Sequence, residues 1–254
     1  MRNRLKSLLK KQASKVYLLT PAAAMASQSL EIVLPGDVIK TEGDLDLGPG
    51  LRRERHGCVV LQPGVHRFRA PRTHWVDTHC RRYVPVRGQC VVGTVLARAG
   101  DIFRVDIGAH EPATLSYLSF EGATKKNRPD VKVGDLVFAR LLVANKDMEP
   151  ELVCVNSKGR AEGLGVLSAE GLDFTVPLHV CRKVLAPACG LLRRLGSELR
   201  FEMAVGMNGR VWATSNSLRY TAAVASAICA SEHMDEAQIA AMCREVAAVA
   251  HQRR

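Results

Sequence analysis

The sequence predicts a multidomain chain that is mostly β up to about residue 158 and α+β beyond it. Short β-prone runs separated by Gly, Pro and Asp turns fill the first part, and the runs after Tyr83 are typical of a small closed barrel. The part after Gly159 is richer in Ala and follows the spacing of helices. Breaks near these two residues favour three domains after an amino-terminal extension.

The extension, residues 1–29, holds six Lys or Arg and no acidic residue, and it is predicted to be disordered. A helix through Leu5, Leu8 and Leu9 would be amphipathic, which is also typical of a mitochondrial presequence. A third interpretation is that the functional protein begins at Met25 and that the preceding residues are an upstream in-frame extension. The sequence leaves open whether residues 1–24 are translated or act as a targeting segment.

Charge is a weak guide to function in this chain. The formal net charge is +11, but the extension carries +6 of it and leaves only +5 for the rest. Local basic clusters could be solvated loops or ligand contacts. They lie at residues 52–55, 67–72, 81–82 and 125–128.

Residues 30–82 are predicted to form a small N-terminal β domain and a linker. Residues 32–39 predict a strand, a Pro-Gly turn and a second strand, and residues 59–61 predict another. Residues 67–82, with Trp75 and several His and Arg, are predicted to be an irregular and poorly ordered connection.

Residues 83–158 supply the predicted barrel. Residues 90–98 and 102–107 predict two strands joined by a turn. In the second strand three apolar side chains lie on one face and Arg104 and Asp106 lie on the other, so one face is apolar and the other carries charge. Further strands are predicted at residues 136–143 and 150–155.

Residues 159–254 predict an α/β domain. Two short helices are expected between residues 178 and 195, separated by Pro187. Two β-prone runs then flank Gly206-Met207-Asn208-Gly209, and an Asn-Gly between such runs predicts a tight hairpin. Two closing helices follow, one through Leu218 and Ile228 and one capped by Asp235 and running to Val249.

Several motifs resemble known domains. Val92-Gly93-Thr94-Val95, Val105-Asp106-Ile107-Gly108, Leu115-Ser116-Tyr117-Leu118-Ser119 and Val133-Gly134-Asp135 resemble the S1 RNA-binding domain, a five-stranded OB-type barrel. The longer strings at residues 116–129 and 143–151 are similar to the S1/KH cap subunits of the eukaryotic RNA exosome. The resemblance is strongest from Tyr83 to Trp212, and it implies an S1 domain at residues 83–158 and a KH-like α/β domain at residues 159–254.

The resemblance implies a non-catalytic, RNA-binding role. Such a subunit assembles on the RNase PH-like ring with other exosome subunits and guides single-stranded RNA into the channel. An associated nuclease then carries out 3′ to 5′ processing and degradation, including rRNA processing. The implied locations are the nucleus, the nucleolus and the cytoplasm, with no membrane partner and no cofactor.

S1 barrels bind single strands by stacking bases on rings and drawing the backbone along basic side chains. When the S1 pattern is laid on this sequence, two aromatic positions fall at Asp101 and Arg104, and a histidine position falls at Tyr117. This loss of rings predicts weak binding without sequence preference. The predicted RNA-binding residues are Arg104, Tyr117, Lys125, Lys126 and Arg128. Tyr117 could equally be a rim residue with its hydroxyl in water, and the basic loop could be a solvated or subunit-contacting segment.

Gly206-Met207-Asn208-Gly209 resembles the glycine loop of KH domains, which clamps an RNA backbone from between two helices. Here the flanks predict strands, and glycines in a tight hairpin are required by positive φ angles without any ligand. The favoured interpretation is therefore a structural turn made by Gly206, Asn208 and Gly209.

No catalytic residue is predicted. Asp44 with Asp46, and Asp101 with Asp106, are the close acid pairs outside mixed-charge segments. Neither pair forms the carboxylate cluster of a two-metal nuclease. The sequence also lacks any apolar run near the roughly 18 to 20 residues that cross a bilayer.

No metal is expected either. Cys58, His74, His79 and Cys80 could be imagined as ligands, but their spacing is irregular. The eight cysteines contain no Cys-x-x-Cys pair, and several are expected to be small core residues in a reducing compartment.

Three alternatives remain open at this point. The first is the sister cap subunit of the same class, and the second is a free-standing RNA-binding regulator, for instance in translation. The third is an enzyme, which the missing carboxylate cluster disfavours.

Overall fold

The computed structural model describes residues 16–17, 31–39, 46–54, 57–69, 72–80, 82–145, 147–186 and 189–251. The described residues form two compact units, an N-terminal unit within residues 31–80 and a second unit of residues 16–17, 82–185 and 189–251. Apart from a two-residue strand, β1 (Val16–Tyr17), the extension predicted for residues 1–29 lies outside the described residues. Within the described ranges, no helix combines the length and the apolar character needed to cross a membrane.

The N-terminal unit consists of two small sheets around a small core. Its strands are β2 (Glu31–Val33), β3 (Val38–Ile39), β4 (Asp46–Leu47), β5 (Leu51–Glu54), β6 (Gly57–Val60), β7 (Gly64–Arg69) and β8 (Thr73–Asp77). One sheet has the strand order β2-β7-β8-β4, and the other has the order β3-β6-β5. The buried core residues are Val33, Leu51, Val60 and Val76.

The prediction of an irregular connection at residues 67–82 was wrong for much of its length. β7 and β8 pair as an antiparallel hairpin. His74 and Val76 alternate inward along β8, with 9% and 0% of their surface exposed. The period-two pattern was hidden because one inward position is a histidine, whose ring packs against His66 and Phe68.

The second unit contains the predicted five-stranded barrel, and the barrel is closed. Its strands are β9 (Cys90–Ala99), β10 (Ile102–Asp106), β11 (Ala113–Ser116), β12 (Leu136–Val143) and β13 (Glu151–Val153). β9 pairs with β10 and β12, and β10 pairs with β11. The ring closes because β13 pairs parallel with β11 and antiparallel with β12. The apolar face of β10, Phe103 and Val105, points into the barrel core as its alternation predicts.

The first half of β9 is buried on both of its faces, which simple alternation did not predict. Val91 and Val92 are both 0% exposed although they point to opposite faces. Ala204 and Trp212 of the following domain belong to the same apolar cluster, so this domain covers the outer face of β9. The barrel and the C-terminal domain therefore share one continuous core.

The C-terminal domain places helices on a mixed sheet. Its strands are β14 (Gly165–Val166), which pairs with β12 of the barrel, β15 (Leu172–Thr175), β16 (Phe201–Val205) and β17 (Arg210–Ser215). Its helices are α1 (Leu178–Leu185), α2 (Leu191–Glu198), α3 (Leu218–Ala230) and α4 (Glu236–His251). The sheet has the order β1-β16-β17-β15, and β16 and β17 form an antiparallel hairpin. α1 ends and α2 begins on either side of the break predicted at Pro187, whereas the short strands β14 and β15 were not predicted.

The hairpin between β16 and β17 needs glycine at both ends of its loop. Gly209 has φ +84°, and a Cβ there would lie 2.6 Å from the carbonyl oxygen of Val176. A Cβ on Gly206 would lie 2.7 Å from the backbone nitrogen of Val92. Both positions are thus closed to larger residues by packing, and Gly209 also by its left-handed backbone.

Gly209→Ala should destabilise the second unit more than Gly88→Ala, which is a matched control. The two glycines have φ +84° and +85°, so the conformational cost of an alanine is the same at both. A Cβ at Gly88 meets nothing within 4 Å, whereas at Gly209 it collides with backbone. We expect urea unfolding to show a loss of about 1 kcal/mol for Gly88→Ala and about 3 kcal/mol for Gly209→Ala. Equal losses would contradict the steric argument.

Candidate nucleic-acid interface

The outward face of β10 presents Arg104 to solvent. Arg104 is exposed, and it stands directly opposite Ala97 of β9 and Thr114 of β11. Both of these directly opposite residues have small side chains. The guanidinium is placed where it could stack on a base and pair with a phosphate.

Tyr117 occupies a different environment from the one expected of an RNA-binding ring. It begins a 3₁₀ turn, Tyr117–Ser119, directly after β11, and only 5% of its surface is exposed. The guanidinium carbon of Arg128 lies 4.9 Å from the ring centroid, in a cation–π contact. The ring therefore offers no face to a base, and neither the stacking role nor the solvent-exposed rim position predicted for Tyr117 matches this arrangement.

The basic loop, residues 120–128, is held in shape by its own hydrogen bonds. The N–H of Asn127 donates to Oγ1 of Thr124 at 3.0 Å, and the N–H of Thr124 donates back to the carbonyl of Asn127 at 2.9 Å. Lys125 and Lys126 lie between these two residues and are exposed. The loop thus presents two adjacent ammonium groups on a closed turn.

Arg128 fixes the end of the basic loop against the turn between β9 and β10. Its Nη2 lies 3.2 Å from Oδ1 of Asp101. The backbone carbonyl of Asp101 in turn accepts a hydrogen bond from the N–H of Tyr117 at 3.2 Å. The structure therefore brings Asp101, Tyr117 and Arg128 together beside the start of the strand that carries Arg104.

The loop Gly206-Met207-Asn208-Gly209 is occupied by contacts within the protein. Three of its four N–H groups donate to backbone carbonyls at 2.8 to 3.3 Å, among them the N–H of Met207 to the carbonyl of Cys90. A clamp on an RNA backbone needs donors that are free to reach phosphate. The structure places Gly206, Asn208 and Gly209 in a tight hairpin turn that faces the barrel.

Asn208 joins the two domains through a buried side-chain amide. It is 7% exposed, and its Nδ2 donates to the carbonyls of Val92 at 2.8 Å and Ile107 at 2.9 Å. Its Oδ1 accepts from the N–H of Val92 at 3.3 Å. The pairing of β9 with β10 ends just before these residues, so the amide replaces a strand partner at that point.

An ion pair lies next to this amide. The guanidinium of Arg210 pairs with the carboxylate of Asp106 and also donates to the Asp106 carbonyl at 3.0 Å and to Oγ1 of Thr94 at 3.3 Å. Burial alone would raise the pKa of Asp106, but the hydrogen bonds from Gly108 and Arg210 and the charge of Arg210 outweigh it. The pKa of Asp106 is therefore held below its usual value.

The two carboxylates of the acid pair predicted in the barrel are thus bound by different arginines, Asp101 by Arg128 and Asp106 by Arg210. This is not the arrangement of a two-metal site, in which carboxylates share cations. The other predicted acid pair includes Asp44, which lies outside the described residues.

The four residues considered as metal ligands, Cys58, His74, His79 and Cys80, are all described. No three of them bring their ligand atoms close enough together to hold a metal ion. Nδ1 of His74 instead lies 3.0 Å from Nε2 of His66. All eight cysteines are free thiols, five of them buried.

Sequence reasoning missed the roles of Asn208 and Arg210 between the domains. Their partners lie 101 to 116 residues earlier in the chain, and local patterns carry no signal for such distant contacts. The Asn-Gly pair predicted the turn but not the use of its amide. Local patterns likewise did not predict that Arg128 covers the ring of Tyr117.

Comparison with known proteins agrees with this architecture. Residues 83–165 match the S1 domain of Exosome complex component RRP40, and residues 171–219 match the KH domain. Exosome complex component RRP40 of Drosophila melanogaster is 47% identical over 223 residues, which cover 85% of this chain and 96% of the relative. The chain belongs to the RRP40 family of exosome complex components.

Other RRP40 proteins show the same relation. The Mus musculus protein is 49% identical over 196 residues, which are 75% of this chain and 72% of the relative. The Saccharomyces cerevisiae protein is 32% identical over 203 residues, which are 75% of this chain and 84% of the relative. A crystal structure described as that of a candidate exosome complex RNA-binding protein aligns with 66% of this chain and 99% of its own, with a TM-score of 0.54 and 21% identity, and it supports the fold.

In this member of the RRP40 family, Asp106→Asn should weaken the junction of the S1 and KH domains at neutral pH. The pKa of Asp106 is lower in the folded state than in the unfolded state. The ionised carboxylate therefore contributes fully to the free energy of unfolding above the unfolded pKa, about 3.9, and this contribution is lost as the pH falls through the folded pKa. We expect the variant to lose about 0.5 to 1 kcal/mol at pH 7, since the pair is partly exposed. The difference from the wild type should shrink below about pH 4.

Urea unfolding followed by Trp212 fluorescence in a Trp75→Phe background would measure this loss. Asp130→Asn is the control for net charge, because that carboxylate is 87% exposed and 4.0 Å from Lys132. A deficit in Asp106→Asn that stays constant down to pH 3 would contradict the role given to the ionised carboxylate.

Proposed function

We propose that this chain is a non-catalytic, RNA-binding cap subunit of the RNA exosome. In this role it assembles on the RNase PH-like ring and guides RNA into the channel for 3′ to 5′ processing and degradation by an associated nuclease. More narrowly, it corresponds to exosome component three and not to the sister cap subunit, exosome component two. The observation that carries the proposal is the similarity to RRP40 proteins, which extends over 96% of the Drosophila relative.

The two domains take different parts in this function. The donors of the KH loop bond either within the hairpin or to the barrel, so the KH domain serves as a scaffold. The S1 domain keeps its exposed cations, Arg104, Lys125 and Lys126, for the RNA backbone. Contacts of this kind attract RNA without reading its sequence, which suits a subunit that passes many RNAs toward a channel.

A role without catalysis is supported by the chemistry of the barrel. The carboxylates of Asp101 and Asp106 pair with different arginines, so the two do not form the shared carboxylate site that catalytic metals need. Cleavage is therefore assigned to the associated nuclease. The nucleus, the nucleolus and the cytoplasm follow as the proposed locations, because the proposed processing of rRNA and other RNAs takes place there.

A tagged form of the chain, purified from native lysate, should elute in a particle of several hundred kilodaltons. Mass spectrometry of that particle should identify RNase PH-like proteins. Elution near the 27.7 kDa of the monomer, with RNA but without such proteins, would exclude the cap assignment and favour a free-standing RNA-binding regulator. Degradation of RNA by the purified chain alone would overturn the non-catalytic assignment.

Replacing Lys125 and Lys126 together by Ala should weaken RNA binding and flatten its salt dependence. The slope of log K against log salt is negative, and each lost phosphate contact makes it shallower by about 0.7 for a single strand. The slope of the double variant should therefore be shallower by about 1.4. Arg128 is left unchanged because its guanidinium also packs on Tyr117.

The control for this experiment is Arg193→Ala with Arg244→Ala, which removes the same charge from exposed positions on α2 and α4. Fluorescence anisotropy with a labelled single-stranded RNA across a salt series would compare the two double variants. If their slopes were the same, the basic loop would not lie on the RNA path.

A further inference from the structure

The cluster of Asp101, Tyr117 and Arg128 suggests how the RNA site is controlled. On the premise that the S1 domain binds RNA as proposed above, we propose that Asp101 holds Arg128 in a resting position and that an RNA phosphate replaces Asp101 when RNA binds. Asp101 is then a residue that lowers RNA affinity, and Arg128 is the residue through which it acts.

The ion pair has the features of a contact that exchanges easily. Nη2 of Arg128 lies 3.2 Å from Oδ1 of Asp101, and the two side chains are 46% and 62% exposed. Exposed pairs of this kind add little to stability, because water and salt screen the charges and the side chains lose entropy. A phosphate of RNA is a stronger competitor, since its binding also releases the counterions condensed on the strand.

Tyr117 keeps the guanidinium in place during such an exchange. The guanidinium carbon lies 4.9 Å from the centroid of the ring, and the ring itself is 5% exposed. A guanidinium can rest one face on a ring while the N–H groups at its edge bind an anion. The buried ring therefore positions Arg128 for an incoming phosphate, which gives Tyr117 a part in RNA binding without contact to a base.

The position of Arg128 also matches the path of a phosphate backbone. It lies in the same short loop as the exposed Lys125 and Lys126, at the end that meets the turn before β10. A strand drawn to the two lysines reaches Arg128 next, and there it meets the carboxylate of Asp101. Removing that single negative charge frees a cation and removes a repulsion at the same point.

Asp101→Asn tests the proposal with little disturbance of the fold. The backbone carbonyl of Asp101 accepts the N–H of Tyr117, and this contact does not depend on the side chain. Asp130→Asn is the matched control, because it removes the same charge from the same domain at a carboxylate that is 87% exposed and 4.0 Å from Lys132. Arg128→Ala, Arg128→Lys and the double variant Asp101→Asn with Arg128→Ala complete the set.

The measurement is fluorescence anisotropy of a fluorescein-labelled single-stranded oligouridylate with each full-length variant over a series of salt concentrations. We expect Asp101→Asn to bind RNA about three- to fivefold more tightly at low salt, the gain typical of one freed exposed cation. Its salt slope should stay close to that of the wild type, because Arg128 contacts a phosphate in both complexes, whereas Arg128→Ala should make the slope shallower by about 0.7. The gain in affinity should disappear in the Arg128→Ala background, and Arg128→Lys should not reproduce wild-type affinity because an ammonium does not lie flat on the ring.

Each other result would overturn the proposal. Equal gains in Asp101→Asn and Asp130→Asn would show a general effect of net charge. Unchanged or weaker binding by Asp101→Asn, while the wild type binds RNA, would remove the competition between Asp101 and phosphate but leave the proposed function standing. Absence of RNA binding by the wild type at low salt would overturn both this inference and the RNA-binding part of the proposed function.

Discussion

One buried side-chain amide determines how the S1 and KH domains fit together. Asn208 supplies partners for the backbone of Val92 and Ile107 at the place where the pairing of β9 with β10 ends. Without it these buried groups would be unpaired, at a cost of about 1 to 3 kcal/mol each. The amide reaches them only from a tight turn, which is why glycine is needed at 206 and 209.

This use of the hairpin decides which surface is left for RNA. Three of the four N–H groups of this loop are bonded, two within the hairpin and one to the barrel, and the Asn208 amide is bonded to the barrel, so these donors are not available to a phosphate backbone. The adjoining pair of Arg210 and Asp106 commits a further cation to the same junction. Exposed cations of the S1 domain include Arg104 on β10 and Lys125 and Lys126 in the basic loop.

Local sequence patterns predicted those elements whose cause is local. The Asn-Gly pair between two β-prone runs predicted the β16–β17 hairpin, and Pro187 predicted the break between α1 and α2. Predictions from local patterns were wrong where the surroundings of a residue depend on its packing partners. His74 faces inward, where its ring packs against His66 and Phe68, and Tyr117 belongs to the buried core of the barrel with Arg128 over its ring. Neither partner could be inferred from the spacing of apolar residues.

The burial of rings also explains the kind of RNA binding that this S1 domain can support. Residues 83–158 contain five Tyr and Phe, and each of them is buried or half-buried. Base stacking, the contact that gives an S1 barrel much of its affinity, therefore has no exposed Tyr or Phe ring in these residues. The main attraction is then between cations and phosphates, which is indifferent to sequence and sensitive to salt. Such binding is weak at any one position of the strand, so an RNA can advance along the surface without a large barrier between successive positions.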